Sequence, residues 1–225
     1  MTIHKNSESL EINKVDNSAG TSSSSTKQRR VHSKFLDLIP KLIPYVYVKK
    51  NHLYLWQRNK ILSWSFSSDS SNEFKLEFQK LFLLALQQWI REGVNFPIQF
   101  QYTENSQNPD FLVKKSAVSY ADVTNGDVLA KAFFPNESNP AITIFPEFDE
   151  YHFQFRVNVI AHEIGHILGL YHPHDEIARL IFEYPTDTVM TLGNPVSLQD
   201  LLDIDRMYEE AWLTGMVEGQ KVTLV

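Results

Sequence analysis

The chain has 225 residues, 43% of them hydrophobic and 21% charged, with a formal net charge of −6. That length holds one catalytic-sized domain plus extensions, and the acidic balance argues against nucleic acid as the main partner, because phosphate binding needs a basic surface. Cysteine is absent, which excludes disulfides, thiolate metal ligands and cysteine nucleophiles.

Residues 1–34 are polar and aperiodic, with a serine run at 22–25 followed by Thr26, Lys27, Gln28, Arg29 and Arg30. Such a segment buries too little apolar area to offset its ordering entropy, and it is expected to be a disordered leader. Its first twenty residues have no apolar core of the secretory-signal kind, and no run in the chain approaches a membrane span. From about residue 35 the composition becomes that of a folded domain, expected over 35–225 with its core at about 50–212. Residues 61–66 (ILSWSF) alternate as a strand. Residues 72–92 carry Phe74, Phe78, Leu81, Ala85 and Trp89 at steps of three or four, which predicts an amphipathic helix ended by Gly93 and Pro97. Further strands are predicted at 98–102, 111–113, 128–134 and 141–145, and helices at 153–168 and from Ser197 to about Trp212. Strand, helix, several strands, helix, helix describes an α/β or α+β layout around one sheet.

Chemistry concentrates at residues 161–172, AHEIGHILGLYH. On a helix, residues four apart share a face, so His162 and His166 can offer nitrogens to one ion, with Glu163 leaning into the same pocket. Gly169 follows where a helix would end on a left-handed residue, and the chain can then return His172 as a third ligand. Three imidazole ligands leave a fourth tetrahedral position open, the pattern of a catalytic rather than a structural zinc. The five fixed positions would arise by chance in roughly one chain of this size in ten thousand.

These residues resemble the metzincin metallopeptidases, whose HExxHxxGxxH signature is matched at every fixed position. Met190, in DTVMTLGN, is similar to the methionine turn that lies beneath the metal in that group. Residues 126–136 (GDVLAKAFFPN) look like the cleft-rim strand of matrixins, and the helix with Asp200, Leu201, Ile204, Met207 and Tyr208 resembles the closing helix of matrixins and serralysins. The resemblance implies an α+β fold: a twisted five-stranded mixed sheet, three main helices, and a zinc cleft between an upper and a smaller lower subdomain. It also implies one catalytic Zn2+ and an extracellular destination. Lys131 stands where matrixins carry a histidine ligand of a second, structural zinc, and Leu192 stands where astacins and serralysins carry a metal-site tyrosine. Residues 173–188 form an insertion between the third ligand and the methionine. Asp149 and Glu150 are similar to an acidic calcium-binding stretch, but the reading taken is that of ordinary residues complementing a helix start; calcium has no further support.

The expected reaction is zinc-assisted peptide hydrolysis with Glu163 as general base. Zinc itself is expected to carry most of the oxyanion charge; Tyr171, Tyr184 and His174 lie close enough in sequence to assist, but each is read first as a structural or solvated residue. By the resemblance, Leu129 and Ala130 would pair with the backbone of an extended substrate, and Gly193, Asn194 and Pro195 would line the main specificity pocket. The expected partner is a protein or peptide substrate, met by a monomer without nucleic acid or membrane span. Alternatives that share the motif are a non-peptidase zinc amidohydrolase, a zinc-stabilised binding scaffold, and a delivered effector or toxin that uses the same protease chemistry.

Overall fold

A computed structural model describes residues 48–49, 52–91, 94–104, 108–122, 126–172, 188–217 and 220–225. The polar leader at 1–34, most of the insertion (173–187), His174 and Tyr184 lie outside the described residues.

The main sheet has five strands in the order β4-β3-β5-β9-β8. β3 is Lys60–Phe66, β4 Ile98–Tyr102, β5 Phe111–Lys115, β8 Ala130–Lys131 and β9 Ala141–Ile144. All neighbouring pairs run parallel except β8, which lies antiparallel to β9 at one edge. The alternation read in residues 61–66 points Leu62, Trp64 and Phe66 into the core. There Trp64 meets Phe78 and Phe82 of helix α1 (Asn72–Trp89) at centroid separations of 6.0 and 5.2 Å. Burying side chains of this size stabilises the fold by roughly 1.5–3 kcal/mol each.

α1 is capped by Ser71, whose Oγ accepts the Phe74 N–H, and it ends at Trp89, three residues before the predicted limit. Its last side chain fixes the next layer: the Trp89 Nε1–H donates to the carbonyl of Ala161 in helix α2 (Phe153–Ile167). The third helix, α3 (Leu198–Thr214), starts in a capping box of Ser197 and Asp200 and ends on Gly215 at φ 69°. The described residues form an α+β fold with a five-stranded mixed sheet and three helices, as the resemblance implies.

Two features were not predicted. The rim segment expected as one strand over 128–134 divides into β7 (Gly126–Val128) and β8, broken at Leu129; β7 pairs with β6 (Tyr120–Asp122) in a separate hairpin. A second sheet, β1-β2-β11-β10, joins β1 (Val48–Lys49) and β2 (His52–Leu55) to β10 (Met216–Val217) and β11 (Gln220–Leu224). β11 lies parallel to β2, so ordered pairing continues beyond the closing helix.

Candidate active site

Helix α2 starts on His152, whose Nδ1 accepts the Phe155 N–H, and every residue from Val157 to Ile167 is buried. A helix buried all round belongs to the core, so the imidazoles of His162 and His166 and the carboxylate of Glu163 are held in apolar surroundings. Its C-terminus is closed by a Schellman turn: the Leu170 N–H reaches the Gly165 carbonyl and the Gly169 N–H reaches that of His166, each at 2.9 Å, with Gly169 at φ 94°. Two further carbonyls at this end are satisfied from afar, Ile167 by the Trp56 indole N–H and Leu168 by the Tyr208 hydroxyl.

The same turn orients a ligand. The Leu170 carbonyl lies 2.9 Å from His166 Nδ1, and the Val189 carbonyl 2.9 Å from His162 Nδ1. A carbonyl only accepts, so each Nδ1 carries the proton and each Nε2 presents its lone pair. Those two Nε2 atoms stand 3.1 and 2.9 Å from Nε2 of His172, which the glycine turn brings back over the helix. Lone pairs so close repel unless a proton or a cation lies among them. Tetrahedral zinc with bonds of about 2.0–2.1 Å sets its nitrogens about 3.3 Å apart, close to this triangle. The three residues form a group that could hold a metal ion.

The Val189 carbonyl is itself fixed. Its residue's N–H donates to Asp200 Oδ2 at 3.0 Å, and Thr188 Oγ1 donates to Asp200 Oδ1. Asp200 is also the capping-box residue that takes the Ser197 N–H and hydroxyl, so the start of α3 sets the turn that orients His162. Met190 is buried in that turn, against Gly165: a Cβ on Gly165 would lie 2.5 Å from Met190 Sδ. Gly165 and the two backbone carbonyls were not singled out in the sequence, and Asp200 only as part of the closing helix, not as the residue that holds the methionine turn. The Ser197–Asp200 spacing was a readable signal for a helix start, but backbone acceptors leave none.

Glu163 is 3% exposed. Burial pushes its pKa up to about 8, opposed by a hydrogen bond from the Ala132 N–H and by the charge of Lys131. Among the described residues its Oε2 has no hydrogen-bond partner. A buried acceptor left open costs stability unless a ligand uses it. Burial also lowers the pKa of His166 well below 6.5, helped by the neighbouring imidazoles.

These groups open on a cleft of about 480 Å³, lined by Leu129, Ala130, Met190, the three histidines, Glu163, and also Lys131, Tyr171 and Leu192. Tyr171 is half-exposed beside His172. Gly193, Asn194 and Pro195 are not among the lining residues. The Gly193 carbonyl accepts from Asn158 Nδ2 at 2.8 Å, and Asn194 Nδ2 donates to Thr188 O at 3.2 Å, so these two brace the methionine turn from behind. Asp149 pairs with Lys115.

A family model described as Matrixin matches residues 55–209. The chain belongs to the matrixin family. No curated protein matches it. As a matrixin it falls among the zinc-dependent metallopeptidases, whose substrates are proteins. The matched span contains the triad, Glu163, the rim strand, Met190 and most of α3. No helix among the described residues of this matrixin is long and apolar enough to cross a membrane.

Proposed function

We propose that the chain is a zinc-dependent endopeptidase that hydrolyses peptide bonds in extended protein or peptide substrates. The residues fit zinc: three imidazoles converge through Nε2, two of them held with Nδ1 against backbone carbonyls, which leaves Nε2 to face the ion. When bound, zinc supplies Lewis-acid polarisation of a carbonyl and acidifies nearby water.

The chain's own residues supply the rest. Glu163, pinned by the Ala132 N–H, would be kept ionised by a cation among the adjacent imidazoles, and it then accepts a proton from the attacking water at Oε2. The water oxygen bonds to the carbonyl carbon, the carbon–nitrogen bond breaks, and Glu163 delivers the proton to the departing amine. Tyr171 lines the cleft, where its hydroxyl would donate to the developing oxyanion.

Substrate adds as a strand to the open edge of β8. In the β8–β9 register Ala130 faces Ile144 and Lys131 faces Thr143, while the Leu129 carbonyl accepts the Phe145 N–H. Antiparallel ladders alternate, so the N–H and carbonyl of Ala130 turn away from β9 and toward an incoming chain. Leu129 has its carbonyl engaged inside the sheet and contributes chiefly its buried side chain. Gly193, Asn194 and Pro195 shape the opposite wall through the methionine turn, with Leu192 at its surface.

The observation that carries this reading is a buried carboxylate oxygen, without a partner among the described residues, in the same cleft as three convergent imidazole nitrogens. Glu163→Gln tests it. The variant should retain zinc and lose about 10²- to 10⁴-fold in peptide turnover, as should the wild type treated with a chelator. A variant that holds zinc and cleaves at the wild-type rate would refute the assignment.

A further inference from the structure

The cleft has one exposed charged side chain among its described lining residues, Lys131 on the edge strand β8. The other charged residue lining it is Glu163, which is buried. Among the described residues Lys131 forms no ion pair. Its neighbours Ala130 and Ala132 are 7% and 6% exposed, with their side chains turned into the core. Period-two alternation therefore sends the Lys131 side chain to the opposite face of the strand.

The edge pairing fixes what Lys131 would meet. The Ala132 N–H points away from β9 and reaches the Glu163 carboxylate, so bond cleavage takes place at this end of β8. The outward groups of Ala130 bond to a substrate strand, which makes Lys131 the centre of the adjacent non-hydrogen-bonded site. At such sites the facing side chains project on the same side with Cβ atoms about 4.5–5.5 Å apart. An unpaired ammonium at that distance is completed by a carboxylate and repelled by another cation.

We propose that Lys131 is a specificity-determining residue that selects substrates with Asp or Glu at the position facing it, within two residues of the cleaved bond. The inference rests on the peptidase reading above and adds to it a substrate class, acidic sequences. Charge arranged in this way discriminates among partners more than it adds affinity.

The test is cleavage of a degenerate peptide library by the zinc-loaded full chain, beside Lys131→Glu and Lys131→Met. The wild type should enrich Asp and Glu at one position within two residues of the cut, by roughly threefold or more in kcat/KM over Lys or Arg, and the enrichment should shrink as salt rises. Lys131→Glu should reverse the preference at that position, and Lys131→Met should flatten it. Lys131 also acts on Glu163 through its charge, but that effect scales all substrates together and cancels in the ratio. Wild-type cleavage with no acidic enrichment, or an enrichment unchanged in Lys131→Glu, overturns the inference and leaves the peptidase reading standing. No cleavage of any member by the zinc-loaded wild type overturns both.

Discussion

Glu163 holds a carboxyl group where charge is disfavoured, and that has a consequence for the metal-free protein. Its folded pKa of about 8 lies above the ordinary 4.5, so between those values the folded chain holds a proton that the unfolded chain has released. Stability must therefore fall as pH rises through this window. Buried His166 works in the other direction: its lowered pKa makes stability rise with pH up to about 6.5. Above that, Glu163 acts alone of the two. The chelated wild type should lose about 2 kcal/mol between pH 6.5 and 8 relative to chelated Glu163→Gln, measured by urea unfolding; parallel profiles would contradict the burial of a protonatable Glu163. At this scale the sequence was most legible. The spacing HExxHxxGxxH defines which side chains can meet, and Gly169 does take the left-handed conformation its position implied. The orienting groups were not legible, because the carbonyls of Val189 and Leu170 are common to all residue types and only the fold selects them.

At the scale of elements, the metal-bearing helix is held from both sides. Trp89 bonds to its middle, Trp56 and Tyr208 bond to its end, and the methionine turn presses on Gly165. A glycine-to-alanine change in an exposed helix adds about 1 kcal/mol of stability. At Gly165 the sign should reverse, because the added Cβ would sit 2.5 Å from Met190 Sδ and overpacking of this kind costs about 1–3 kcal/mol. Gly165→Ala should lower the urea midpoint without changing the slope; a raised midpoint would show that Met190 is free to move. Long periodic elements, such as α1 and α2, were readable because their apolar faces repeat locally. The sheet of β1, β2, β10 and β11 was not. Its strands run from two to five residues, and its central pairing joins Leu53 to Val222, a contact that no local pattern encodes. The break at Leu129 in the rim was missed for a related reason: the apolar run continues through it, while the hydrogen-bond partner changes from β6 to β9.

At the scale of the molecule, the two ends of the folded chain converge behind one helix terminus. Trp56 follows β2 and Tyr208 lies on α3; Trp212 of α3 also donates to the Trp56 carbonyl, while β11 pairs with β2. Holding the three imidazoles in position is thus a property of the whole fold, and a metal that binds only the folded state must stabilise all of it by mass action. The most direct measurement is the zinc content of the purified full chain at equilibrium, beside His166→Ala and His172→Ala. One zinc per wild-type chain, with uptake lost or greatly weakened in both variants, is the expected result. A wild-type chain that takes up no zinc, or variants that bind it as tightly as the wild type, would contradict the three-histidine centre on which the peptidase chemistry depends.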